Sequence, residues 1–234
     1  MDLRSAIATP EGKRRYVRRL FATIAGRYDL ITVALSYGQD RRWKRRLIAL
    51  AGLRDDDRVL DLACGTGDIL FAAADRVRFA VGLDLTHRML QLARRKGHAP
   101  LVTGDMLALP FPPGSFTVVT VGYGLRNVPD LRAAIREIQR VLRPGGRFLS
   151  LDFNRPSHPV IRRLYLFYLT VVGSSLGLLL HRDPDTYRYI PESIRTYPGA
   201  GGVAVLLAES GFAGVRAIPV LGGLMAIHIA HRLD

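Results

Sequence analysis

The sequence predicts an α/β fold in which a mostly parallel, seven-stranded sheet carries helices on both faces and closes with an antiparallel last strand. Two observations lead there. From residue 58 onward, short β-type apolar runs alternate with longer stretches of helical period, the pattern of parallel strands joined by crossover helices. Near the end, apolar runs at 214–221 and 224–233 are separated only by Gly222-Gly223, which suits an antiparallel hairpin.

The elements follow in order. Residues 1–50 are expected to form a helical cap, and 51–234 the sheet domain, the two making one structural unit. RVLDLA (58–63) is the first strand, and the helix after it opens at Thr66 to Asp68 and runs through ILFAAADRV. RFAVGLD (78–84) is the second strand; Thr86 then suits an N-cap for HRMLQLARRK, where Met89, Leu90, Leu92 and Ala93 form an apolar stripe. PLVTGD (100–105) is a short third strand, and the turn-rich LPFPPGS leads to FTVVTVGYG (116–124), the fourth. LRAAIREIQRVL (131–142) is amphipathic and is expected to stop at Pro144-Gly145-Gly146, before a fifth strand at RFLSLDF (147–153). Residues 164–180 then hold no charge, between Arg162-Arg163 and His181-Arg182. A spanning helix needs about 20 apolar residues. Because two strands are still to come, this stretch is read as a buried or membrane-touching cover within about 157–190.

Composition narrows the function classes. The single cysteine, Cys64, cannot form an internal disulfide and has no Cys/His cluster beside it, so a reducing cytoplasmic setting and no metal are expected. The first residues are basic and polar, without the apolar core of a signal peptide. A formal net charge of +14 attracts polyanions, either nucleic acid or the anionic inner face of a membrane. Much of it lies in KRRYVRR (13–19) and DRRWKRR (40–46).

The first strand is closed by Asp61, and Gly65-Thr66-Gly67 opens the next helix. Small residues there let backbone N–H groups approach a ligand at a helix N-terminus. The third glycine of a dinucleotide fingerprint is replaced by Leu70, which argues against a pyrophosphate contact and a dehydrogenase. Asp84 ends the second strand, where a carboxylate can accept two ribose hydroxyls, with Leu85 beside it; Asp105 ends the third. Acids at three successive strand ends suit a ligand with a ribose, an adenine amino group and a positive charge but no phosphate. S-adenosylmethionine is such a ligand.

VLDLACGTGD, VGLD, LPFPPGSFTVVTVGYGLRNVPD, VLRPGGRFLSLDF, YRYIPESIRTYP and LLAESGF together resemble the UbiE/MenG-type C-methyltransferases of ubiquinone and menaquinone biosynthesis. The resemblance runs from about Phe21 to GGLMAIH, nearly the whole chain. Its first two motifs are common to many methyltransferases; GLRNVPD and YRYIPESI are more specific to the quinone enzymes. It implies a class I, Rossmann-like S-adenosylmethionine-dependent methyltransferase acting on a ring carbon of a polyprenylated quinol, either benzoquinol or naphthoquinol. Carried over by position, Thr66, Asp84, Asp105 and Met106 would contact the cofactor, with Asp61, Gly65, Gly67, Leu85 and Gly122 around them. The family often has Ser at position 122 and Glu at position 152, where this chain has Gly122 and Asp152.

Ring methylation needs a neighbouring hydroxyl to lose its proton, so that charge reaches the ortho carbon. Arg126 fits the stabilisation of that phenolate, being permanently charged and forked toward oxygen anions, and for the same reason it is not the base. Asn127 can hydrogen-bond a ring oxygen or hold Arg126 in place. Gly122 and Gly124 would clear room beside the donor, and Tyr123 would offer an aromatic wall. For the proton acceptor the candidates are Tyr28, Asp152, His228 or a water, although a strand histidine such as His228 is more often a satisfied core group. A DNA methyltransferase is disfavoured: no Asn/Asp-Pro-Pro-aromatic run follows strand four, and Cys64 sits in the cofactor loop. A phospholipid or other small-molecule methyltransferase, and a non-catalytic scaffold of a quinone-assembly complex, stand as alternatives. The partners expected are the quinol and an anionic membrane surface, with a homodimer left open.

Overall fold

In the computed structural model, which describes residues 3–233, the apolar runs become seven strands. These are β1 (Arg58–Leu62), β2 (Phe79–Asp84), β3 (Leu101–Thr103), β4 (Phe116–Gly122), β5 (Leu142–Phe153), β6 (Phe212–Val220) and β7 (Met225–Arg232). Their order across the sheet is β3-β2-β1-β4-β5-β7-β6. β1 to β5 pair in parallel, and β7 runs antiparallel to both β5 and β6, so six strands share one direction and β7 opposes them. β4 is buried at six of its seven residues, which is why it reads as an unbroken apolar run and not as an alternating one. The strand order reverses between β1 and β4. In an open α/β sheet the crevice beyond the carboxyl ends at such a switch point is the place where ligands bind.

Helices cover both faces. α1 (Leu3–Ala6) precedes α2 (Pro10–Ile24), which Thr9 caps by accepting the Gly12 amide at 3.1 Å, with Pro10 in the first turn. α3 (Tyr28–Leu35) and α4 (Asp40–Ala51) follow. Trp43, Leu47 and Ile48 of α4 share one core with Ile69 and Leu70 of α5 (Asp68–Ala74) and with Val59, Val118, Leu149 and Ile227 from the sheet. α6 (His87–Ala93) flanks β2 and β3. The opposite face packs Leu60, Val119 and Phe148 against α7 (Leu131–Val141) and α10 (Gly199–Glu209). Asp130 caps α7 by accepting the Ala133 amide at 2.9 Å, so the end of the GLRNVPD run doubles as a helix start. α8 (Pro159–His181) and α9 (Tyr189–Thr196) lie between β5 and α10.

Several strand ends shift by one or two residues, and two connections differ from expectation. α7 ends at Val141, and Leu142 already pairs with Phe116 before the register resumes at Arg147 and Val118, so Pro144-Gly145-Gly146 is a bulge within β5 and not a gap before it. Gly145, at φ +70°, supplies the turn that the extra residues need. The β6–β7 connection is also longer than two residues: Val220 pairs with Met225, and Leu221, Gly222 and Gly223 all have positive φ.

Candidate active site

Two cavities meet at the carboxyl ends of the central strands. The first lies over the β1–α5 loop and the ends of β2 and β4; Ala63, Gly65, Asp84, Leu85, Asp105, Met106, Gly122 and Asn127 line it. α2 and α3 roof it with Arg14, Val17, Phe21 and Tyr28. A Cβ placed on Gly65, at φ +55°, would point toward the Tyr28 ring across this space, and one on Gly67 would collide with Phe71. The two glycines of the loop therefore answer different needs, close approach in one case and helix packing in the other.

Asp84 organises the loop. Its Oδ2 accepts the Gly65 amide at 2.9 Å and its Oδ1 the Thr86 amide at 2.7 Å. Burial pushes its carboxyl up to about 6, with those amides pulling the other way. Thr86 occupies the N-cap of α6, but its side chain makes no capping bond. Asp105 accepts the Leu107 amide at 2.9 Å, and its other oxygen pairs with Arg14 Nε at 2.8 Å, tying α2 to the cavity rim.

Asp61 and Thr66 sit outside this lining. Asp61 accepts the Thr120 hydroxyl at 2.7 Å, and burial pushes its carboxyl up to about 7 against that bond and the charge of Lys44. The Thr66 hydroxyl donates to Asp29 Oδ1 at 2.7 Å and accepts Lys96 Nζ at 3.0 Å. At Gly122 a Cβ would meet Ile69 Cδ1 at 2.5 Å, and at Gly124 it would meet Ala63 Cβ at 2.7 Å, so packing around the loop as well as cavity space calls for small residues here.

The second cavity lies beneath α2 and α3 and is mainly apolar, with Ile24, Ile31, Trp43, Phe153, Tyr187 and Met225 in its walls. Phe21, Tyr28 and Tyr123 line both cavities and form the shared wall. Tyr123 is fixed there at φ +59°. Its hydroxyl donates to Asp40 Oδ1 at 2.6 Å, and its amide donates to the Leu151 carbonyl at 2.7 Å. Asp40 in turn pairs with Lys44 at 2.6 Å, and Lys44 with Asp68 at 2.9 Å. Although burial pulls Lys44 down, these carboxylates hold it above its ordinary value, so it stays charged.

The Arg-Asn pair lies in a 3₁₀ turn, Leu125–Asn127, after β4. Arg126 Nη1 donates to the Tyr123 carbonyl at 2.9 Å and to Asp152 Oδ1 at 2.6 Å, and the Asn127 side-chain amide donates to the same carbonyl at 2.8 Å. The guanidinium stands 4.7 Å from the centroid of the Phe153 ring and is buried. Burial pulls its pKa down, but Asp152 more than compensates and keeps it charged. The two side chains then diverge: Arg126 lines the apolar cavity and Asn127 the first one. Arg126 Nε and Asn127 Oδ1 are buried without a hydrogen-bond partner among the described residues.

Of the other residues considered for proton transfer, His228 is fully engaged. Its Nε2 donates to the Ala200 carbonyl at 3.0 Å, which leaves Nδ1 to accept from the Ser150 hydroxyl at 3.2 Å. Asp152 is held by Arg126. Lys13, Arg14, Phe21, Trp43, Tyr187 and Tyr189 belong to the site as well; Tyr187 and Tyr189 lie in the YRYIPESI motif without having been given a role there, and no local signal in the sequence separated Lys13, Arg14 and Trp43 from ordinary helix residues. Lys13 Nζ donates to the carbonyls of Arg126 at 3.1 Å and Val128 at 2.7 Å; burial and the Arg126 charge bring it down to about 8. Among the described residues no group of three or more His, Cys, Asp or Glu is arranged to hold a metal ion.

This architecture, a seven-stranded sheet with one reversed strand and a cleft at its switch point, is the fold of the S-adenosylmethionine-dependent methyltransferases. A solved structure from Thermotoga maritima, described as such an enzyme and as a possible histamine N-methyltransferase, superposes with a TM-score of 0.68 at 16% identity, covering 92% of this chain and 99% of that one. Within that class, residues 9–232 match the ubiE/COQ5 methyltransferase family, and the chain belongs to it. It is 40% identical over 220 residues to a demethylmenaquinone methyltransferase of Thermus thermophilus, covering 91% of this chain and 100% of that protein. It is 36% identical to the ubiquinone/menaquinone biosynthesis C-methyltransferase UbiE of Shewanella halifaxensis, covering 95% of this chain and 92% of that protein. The protein is an enzyme of the methyltransferase class.

Proposed function

We propose that the protein methylates a ring carbon of a polyprenylated quinol, of the benzoquinol or naphthoquinol type, in ubiquinone or menaquinone biosynthesis. One observation carries the reading: a cleft bearing the carboxylates Asp84 and Asp105, suited to the donor, and a second cavity without carboxylates among the described residues lining it, suited to an aromatic ring, share the wall Phe21, Tyr28 and Tyr123. The names of the Thermus and Shewanella relatives point to the same substrates.

The first cavity fits S-adenosylmethionine. Asp84 is preset by two backbone amides to accept ribose hydroxyls, and Asp105 with Met106 and Leu85 would flank the adenine. The unpartnered Asn127 Oδ1 offers an acceptor to the ligand's positive end. Gly65, without a side chain, lets the donor approach the loop, whose Gly67 amide is tied to the Cys64 carbonyl, while Asp61 supports the loop through Thr120. When bound, the donor would supply a sulfonium methyl to the ring carbon, the C–S electron pair staying on sulfur, and that carbon's own proton would then leave to water as the ring regains aromaticity.

In the apolar cavity, Arg126 stabilises the phenolate that makes the ortho carbon nucleophilic. Its partner Asp152 neutralises its charge on the far side, so the buried cation is tolerated before substrate arrives. Burial keeps the Tyr28 phenol above its ordinary value, with Lys44 and Arg126 opposing, so at neutral pH Tyr28 holds its proton and serves to align ring and methyl. Alignment of this kind is worth up to about 7–11 kcal/mol of barrier in the best intramolecular cases. α2 and α3 act as the cap that closes both cavities over the sheet.

The prenyl tail requires access from a bilayer. α8 exposes Val160, Leu164, Phe167, Val171 and Leu178, with Arg162, Arg163 and Arg182 at its ends, and this face is assigned to an anionic membrane surface. A host lacking its own quinone methyltransferase, supplied with this chain, tests the function: its quinones should gain the ring methyl by mass spectrometry. Persistence of only the demethylated quinone would reject it.

A further inference from the structure

We propose that Tyr189 is a second hydrogen-bond donor to the substrate's ring oxygen, forming with Nε of Arg126 a two-point receptor for a phenolate. The proposal rests on the reading of the apolar cavity as the aromatic-substrate site. Tyr189 opens α9 and is 1% exposed, yet its hydroxyl has no hydrogen-bond partner among the described residues. Arg126 Nε is in the same condition, and both residues line the apolar cavity. Buried polar groups are normally paired, so two unpaired ones on the wall of one cavity mark a position that a ligand completes.

The surroundings specify that ligand. Among the described residues lining the cavity, Arg126 alone is charged, and Asp152 already balances it at 2.6 Å. A multiply charged group such as phosphate would find one neutralised cation, whereas a singly charged aromatic oxygen finds two unpartnered donors among the described lining residues and an apolar wall for its ring. The Tyr189 ring is held against Tyr16 of α2 at 5.4 Å between centroids, so its hydroxyl is oriented before substrate enters. Burial holds its phenol above the ordinary value, with the Arg126 charge opposing, so the group remains a neutral donor.

Tyr189→Phe removes one oxygen and keeps the ring packing. With donor present, kcat for a soluble short-chain quinol should fall about a hundredfold, the usual loss on removing one oxyanion donor, while S-adenosylhomocysteine affinity stays unchanged. A readout independent of turnover uses 4-nitro-1-naphthol, whose anion is coloured, bound with S-adenosylhomocysteine. Its ionisation in the wild-type complex should occur at lower pH than in water, and in the variant about one pH unit higher than in wild type. A crystal of the wild-type complex should place the naphthol oxygen within hydrogen-bond distance of Tyr189 and Arg126; an oxygen seated elsewhere overturns the proposal even if the variant does not fold. Binding with the same ionisation in wild type and variant removes Tyr189 from the receptor and leaves the function reading standing. No naphthol binding to the wild type overturns the receptor and the cavity's assignment together.

Discussion

Tyr123 carries an aromatic ring at a backbone angle that costs about 1–2 kcal/mol outside glycine, and its surroundings show how that cost is met. Its hydroxyl is tied to Asp40, its amide to Leu151, and its carbonyl accepts both Arg126 and Asn127. The wall between the cavities and the two polar side chains after it are thus set by one residue. The Arg126–Asp152 pair is almost fully buried, at 6% and 2% side-chain exposure. Asp152→Asn should therefore cost about 3–5 kcal/mol in urea denaturation, because it leaves the guanidinium uncompensated; a loss below 1 kcal/mol would contradict the pairing. Asp61 sets a pH dependence. An unfolded aspartate titrates near 3.8 and the folded one at about 7, so between those values the folded chain holds a proton that the unfolded chain has released. Stability contributed by this group therefore falls as pH rises from about 4 to 7. Asp61→Asn keeps an acceptor for Thr120 and should flatten that slope in melts taken across the window. Asp84, at about 6, acts on binding: the ionised form accepts hydroxyls better, so S-adenosylhomocysteine affinity should weaken as pH drops through 6, which calorimetry can follow.

Elements add what single residues cannot. α8 turns Tyr165, Leu169, Gly173 and Gly177 inward, and its two glycines let the helix approach the 183–187 segment, where a Cβ on Gly173 would already stand 3.3 Å from Tyr187. The opposite face is left apolar and exposed; by length and composition alone the helix could cross a membrane. Tyr37, after α3, stacks on Tyr168 of α8 at 5.8 Å. Each large apolar side chain withdrawn from water is worth about 1.5–3 kcal/mol. A Leu164→Glu, Phe167→Glu double variant should thus lose roughly a hundredfold or more in flotation with phosphatidylglycerol vesicles, while its melting temperature and its turnover of a water-soluble quinol stay as they were. Equal flotation of both proteins would remove α8 from the membrane contact. α2 plays a comparable part at the other end, since Lys13 and Arg14 latch it to the Arg-Asn turn and to Asp105.

At the scale of the whole molecule, a donor cleft roofed by α2 and α3 and floored by three strand ends couples ligand binding to the fold. S-adenosylhomocysteine at a hundred times its Kd should add about 2.7 kcal/mol of stability and raise the melting temperature by roughly 5–10 °C for a chain of this size; a rise under one degree would count against the cleft as the donor site. The parallel sheet was readable because strands covered on both faces are continuous apolar runs, but of the three acids expected at strand ends Asp84 alone closes its strand, Asp61 lying within β1 and Asp105 beyond the end of β3. The β5 boundary was misread because Pro144-Gly145-Gly146 breaks a helix and makes a bulge equally well, and only pairing with β4 chooses between them. The order of elements, the glycine loop and the motifs of the family are therefore local properties, written in the chain's periodicity and in residue types that few conformations accept. Which side chains meet is not local. Arg126 and Asn127, adjacent in the chain, face different cavities because successive residues of a 3₁₀ turn point about 120° apart, and Asp61 and Thr66 bond behind the cleft because Thr120 and Asp29 arrive there from elsewhere in the chain. Tyr28 was already a candidate in the sequence and Tyr189 lay in one of its motifs, but long-range packing alone decided that they and Phe21, from helices outside the sheet, meet beside the strand ends.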